Sequence, residues 1–78
     1  MKACILIKTD PSKIKTIAKI VEKIEGVKIA FPVLGRTDVV ASVEASTLEQ
    51  LSILAFKIGG TPGVTATETL VGLAGVIE

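Results

Sequence analysis

The side chains able to do chemistry fall in two short stretches. The first is "LGRTD", Leu34 to Asp38, set between two runs of alternating apolar residues. Glycine amides exposed in a turn hold an anion, and a carboxylate holds an ammonium through charge-assisted hydrogen bonds. Gly35 and Asp38 together therefore have the chemistry to receive a zwitterion, with Leu34 and Arg36 beside them. The second stretch is Thr67-Glu68-Thr69, whose two hydroxyls point to one face of a strand. Plainer readings exist for both: Gly-Arg-Thr-Asp is ordinary turn chemistry, and threonine at every second position is common in strands.

Other chemistry is missing. The chain has no histidine, tyrosine or tryptophan, and its one cysteine, Cys4, excludes a CxxC redox or metal site. Cys4 reads as a small buried thiol within a strand. Gly59, Gly60 and Gly72 do not form a phosphate loop, because neither GxxxxGK nor GxGxxG spacing occurs. General acid–base catalysis would rest on Asp38, Glu68 or a lysine with no visible partner. The expectation is a non-enzyme with no catalytic residue, no metal and no cofactor.

With 78 residues, of which 49% are hydrophobic, residues 1–78 are expected to form a single domain. A chain this short buries only roughly 60% of its unfolded surface, so a lone monomer is marginal. Aromatics make up 3%, which leaves the core to Ile, Val, Leu and Ala. The net charge is +1. Lys13, Lys15, Lys19 and Lys23 share one helix, but Glu22 and Glu25 interrupt them and no aromatics interleave, so direct nucleic-acid binding is not expected. No signal peptide and no long apolar run are present, which points to a cytoplasmic protein away from membranes.

These residues must be positioned by six elements. "KACILIK" is a strand. Asp10 caps a helix with Pro11 at its first position, and Ile14, Ile17, Ala18, Val21 and Ile24 form its apolar stripe, widened by Ile20 and stopped at Gly26. A strand over residues 27–34 places Val27, Ile29, Phe31 and Val33 on one face, and Pro32 marks it as an edge strand or a bulge. The turn Gly35-Arg36-Thr37 then leads into a strand over residues 38–45, with Val39, Ala41, Val43 and Ala45 on one face, completing a hairpin. Ser46 and Glu49 have capping-box spacing for a second helix, with Leu48, Leu51, Leu54, Ala55 and Ile58 as its stripe. "TATETLVGL" is the last strand, and "AGVIE" is left unassigned.

The order β-α-β-β-α-β with short links fits an α+β, ferredoxin-like sandwich: a four-stranded antiparallel sheet, order 4-1-3-2, with two helices on one face. The other face would carry Cys4, Leu6, Val40, Ser42, Thr67, Thr69 and Val71, apolar enough to invite a partner.

At this level the chain resembles a known family. "VLGRTDVVASVEA" followed by "LEQLSILAFKIGGTPGVTATETL" is similar to the effector-binding domain of the Lrp/AsnC regulators, also called the RAM domain, for regulation of amino-acid metabolism. The likeness runs from Lys2 to about Leu73 and rests on the ordered G-x-x-D, helix, P-G-V and T-x-T pieces. It implies dimers formed through the sheets, assembled into octamer- or decamer-like rings, with small amino acids bound between dimers. It implies ligand-binding roles for Gly35 and Asp38 in the loop and for Thr67 and Thr69 on the last strand, flanked by Leu34, Arg36 and Glu68. Thr37 stands where the family often has an aromatic residue. Family members normally carry an N-terminal helix-turn-helix, whereas this chain starts on its first strand and reads as a stand-alone module. Full-length regulators of the family are implied partners. The leading expectation is an amino-acid-binding regulatory module acting through assembly. The alternatives are an assembly module without effector and, less favoured, an enzyme of the dimeric α+β barrel type.

Overall fold

The computed structural model describes residues 1–73. Its elements are β1 (Lys2–Thr9), a 3-10 turn (Pro11–Lys13), α1 (Ile14–Glu22), β2 (Val27–Pro32), β3 (Val39–Glu44), α2 (Leu48–Gly59) and β4 (Val64–Val71). The sheet runs β2-β3-β1-β4 with every neighbouring pair antiparallel. This is the ferredoxin-like topology expected from the element order. β2 lies at an edge, where the missing N–H of Pro32 costs no ladder bond on its open side. The unassigned tail, residues 74–78, lies outside the described residues.

The core forms where the two periodicities meet. Ala3, Ile5 and Ile7 of β1 and Val39, Ala41 and Val43 of β3 are buried at every second position. Against them pack Ile17, Ala18 and Val21 of α1 and Leu51, Leu54 and Ile58 of α2, at helical spacing. Gly63 closes the turn into β4 with φ +101, and a Cβ there would meet Lys13 Cδ at 3.0 Å and Ile17 Cδ1 at 3.3 Å. Both conformation and space demand glycine at this one position.

Helix starts follow local hydrogen bonds. Asp10 Oδ1 accepts from the Ser12 amide at 3.0 Å and from the Ser12 hydroxyl at 2.8 Å. Those bonds, the backbone one foremost, hold the Asp10 carboxyl below its ordinary range. α2 is capped one residue later than expected. Thr47 Oγ1 accepts from the Gln50 amide at 3.1 Å, and Gln50 Oε1 accepts from the Ser46 amide at 3.2 Å. Thr47 holds the extended backbone that a cap needs (φ −139, ψ 162), so it takes the role expected of Ser46. Leu48 consequently leaves the apolar stripe and is exposed.

Other faces also differ from expectation. In β2, the pairing jumps from Val27 with Val43 to Ile29 with Ser42, a bulge at Lys28. A one-residue shift exchanges the faces of a strand. Ala30 is therefore buried, while Ile29 and Phe31 turn to the face away from the helices. In β4, Thr69 pairs with Ile5, Thr67 with Ile7 and Val71 with Ala3, all on the helix-covered face. The open face instead receives Ala66, Glu68 and Leu70. Cys4, expected to be a buried thiol, is exposed on that same face between Ala3 and Ile5. The hairpin link is longer than expected: it runs over residues 33–38 and is closed by Val33 N–H donating to Asp38 C=O at 2.9 Å.

Registers across the open face now read as two rows. One is Ile29, Ser42, Cys4 and Leu70; the other is Phe31, Val40, Leu6 and Glu68. Only Glu68 carries charge in either row.

A cavity under the loop between β2 and β3

The loop over residues 33–38 is fastened at its second end. Pairing of β1 with β3 ends at Ile7 with Val39. Just beyond, Asp38 N–H donates to Ile7 C=O at 2.9 Å, and the Thr37 hydroxyl donates to the same carbonyl at 2.8 Å. Thr9 N–H, past the last β3 rung, donates to Asp38 Oδ2 at 2.9 Å. The half-buried carboxylate thus takes the place of a missing strand carbonyl. It extends the ladder by one bond and ties the loop to β1.

Ahead of that anchor the loop projects outward. Leu34 is fully exposed, and Gly35 has φ +143 with open space around its Cα. Beneath the overhang lies a cavity of about 450 Å³, walled by residues 34–37, by Leu6 and Lys8 of β1, and by residues 66–68 of β4. That volume suits a small ligand. Leu6, Leu34 and Ala66 supply apolar wall; Lys8, Arg36 and Glu68 supply charge.

Of the residues singled out from sequence, the structure brings Leu34, Gly35, Arg36, Thr67 and Glu68 together here. It leaves out Asp38, which stands behind the loop, and Thr69, which pairs with Ile5 on the helix side. Thr67 lines the cavity between its neighbours, yet its hydroxyl lies across the sheet, 3.9 Å from where a Cβ on Gly59 of α2 would sit. Leu6, Lys8 and Ala66 were missed. The signal for Leu6 and Lys8 was their alternation with Ile5 and Ile7, which sets them on the open face. Strand order 4-1-3-2 then places them between the loop and β4.

A wider cleft of about 580 Å³ opens at the opposite end of the sheet, among residues that include Glu25, Lys28, Glu44 and Lys57. It holds none of the residues singled out from sequence. The smaller cavity gathers most of the residues singled out from sequence and is the candidate site. Among the described residues, no three His, Cys, Asp or Glu side chains gather to hold a metal ion. No described helix is long and apolar enough to cross a membrane.

Residues 2–78 match the family model of the Lrp/AsnC ligand-binding domain. The chain belongs to that family. Among solved structures, TTHA0845 of Thermus thermophilus is 26% identical with a TM-score of 0.88, the match covering 92% of this chain and 91% of that one. The hypothetical protein PHS023 of Pyrococcus horikoshii is 29% identical with a TM-score of 0.85, covering 92% and 88%. AsnC of E. coli shares the fold at 22% identity and a TM-score of 0.86; the match covers 99% of this chain but 53% of AsnC. No curated protein matches the sequence. Membership in the Lrp/AsnC ligand-binding family makes the coarse assignment a regulatory, effector-binding module.

Proposed function

We propose that this Lrp/AsnC ligand-binding domain takes a free amino acid in the cavity under the 33–38 loop and acts through assembly of its copies. One observation carries the reading: the cavity has a cation and an open glycine on its loop wall, Arg36 and Gly35, and a carboxylate on its strand wall, Glu68. A zwitterion needs that polarity. Its α-carboxylate goes to Arg36 and the Gly35 amide, and its ammonium goes to Glu68, by charge-assisted hydrogen bonds. Leu34 and Thr67 complete the walls. Asp38 acts from behind by holding the loop, and Thr69 supports β4.

Assembly follows from the open face. Ile29 (50% exposed), Phe31 (42%) and Leu70 (49%) leave an apolar surface on a domain too small to be robust alone. A second copy covers it, and dimers build the octamer- or decamer-like ring, which full-length regulators of the family can join. Leu6 and Glu68 belong both to the cavity wall and to this face, so ligand and neighbouring copy are in reach of one another.

A thermal-shift panel of the common amino acids, with light scattering on the same samples, tests the proposal. A binder at a hundredfold excess over its Kd adds about 2.7 kcal/mol, a rise on the order of 10 °C for a domain this size. Scattering should give a mass several times 8.1 kDa. Large assemblies with no amino acid shifting the melt would favour an assembly module without effector. A stable monomer that binds nothing would defeat both readings.

A further inference from the structure

We propose that the effector is an acidic amino acid, carrying two carboxylates and one ammonium. This rests on the reading above that the cavity takes an amino acid. The argument is the charge count of the walls: two cations, Lys8 and Arg36, face one carboxylate, Glu68. Among the described residues no further carboxylate lines the cavity, and Asp38 lies behind the loop with its Oδ2 taken by the Thr9 amide. Among the described residues no ion pair engages Lys8, Arg36 or Glu68, so the cavity charges are not already spent on each other.

Each ligand class meets these three groups differently. A neutral amino acid satisfies Arg36 and Glu68 and leaves Lys8 without a counter-charge. A basic amino acid brings two cations to a single carboxylate and faces Lys8 with like charge. An acidic one pairs every group: α-carboxylate with Arg36 and the Gly35 amide, ammonium with Glu68, side-chain carboxylate with Lys8.

The strand register gives the spacing. Lys8 pairs with Ala66 and Leu6 with Glu68, so Lys8 and Glu68 are diagonal neighbours on one face of β1 and β4. Diagonal positions stand roughly 7–8 Å apart. Side chains as long as lysine and glutamate at that spacing can reach the two ends of a ligand whose ammonium and distal carboxylate lie a few bonds apart. Leu6 and Ala66, between them, give the methylenes an apolar floor. Lys8 is therefore the specificity-determining residue, and Glu68 serves every amino acid alike.

Calorimetry on the full chain tests this with L-glutamate, L-aspartate, L-glutamine, L-asparagine and L-lysine, on the parent and on Lys8→Gln and Glu68→Gln. Both substituted side chains are exposed in the single chain, and thermal melts with light scattering check that each variant is folded and assembled like the parent. One of the acids should bind at least tenfold more tightly than its amide, and lysine should not bind. Lys8→Gln should bring the acid's affinity down to that of its amide and so erase the gap; Glu68→Gln should weaken both. An amide or another neutral amino acid binding as tightly as the acids, or a gap that survives Lys8→Gln, overturns the acidic class and leaves the amino-acid site standing. Binding of no amino acid by the folded, assembled parent overturns both.

Discussion

Asp38→Ala should cost about 1–3 kcal/mol of stability, because it strands the Thr9 N–H in a half-buried position without its acceptor. The loss is larger than that of an ordinary loop substitution, which usually stays within about 0.5 kcal/mol. It should also slacken the loop that roofs the cavity, since the carboxylate is one of the few ties between residues 33–38 and β1. Asp38→Asn separates fastening from charge. Its amide oxygen can still accept from Thr9, so a fastener is largely restored. A carboxylate that met the ligand's ammonium would not be, and affinity would fall tenfold or more. Urea unfolding and calorimetry on both variants decide it. Stability and binding that recover together in Asp38→Asn support the fastening role; recovered stability with lost binding assigns the carboxylate to the ligand.

A second large effect is expected in the core. Ile17 is fully buried on α1, over the sheet and against Gly63. Ile17→Ala removes three carbons and leaves a cavity, at a cost of about 2–5 kcal/mol. A domain of this size has on the order of 4–12 kcal/mol in total at the usual stability per residue, so the variant loses a large share of its stability. Ile20→Ala, one turn on and 43% exposed, should stay near the parent. Chemical-denaturation midpoints for the pair check the assignment. Equal losses at both positions would mean that Ile20 is covered, as when copies of the chain bury it.

Much of this architecture was readable from local signals. The isoleucines of α1 recur at helical spacing and Pro32 announces an edge strand, and both features survive in the structure. What was not readable depends on pairing. β4 has no hydrophobic alternation: Thr65, Thr67 and Thr69 alternate with Ala66, Glu68 and Leu70, and neither set is clearly the buried one. Its face is decided by register with β1, which sets Thr67 and Thr69 toward the helix-covered side and Glu68 toward the cavity. In β2 the regular alternation Val27, Ile29, Phe31 misleads, because the bulge at Lys28 reverses the faces partway along. Asp38 was singled out for its chemistry, but its partner, Thr9, lies 29 residues away in sequence. No local pattern carries that contact. The candidate site was therefore half visible: the loop was recognised, while the opposing wall of Leu6, Lys8 and Ala66 needed the sheet.

The most direct test of the central claim is an amide-resolved NMR titration of the assembled chain with whichever amino acid the panel identifies. The account predicts saturable shifts at Gly35, Arg36, Thr37, Thr67 and Glu68, with Glu25, Lys28 and Gln50 at the opposite end of the sheet unmoved. Shifts confined to that opposite cleft, or none at saturating ligand, would contradict it.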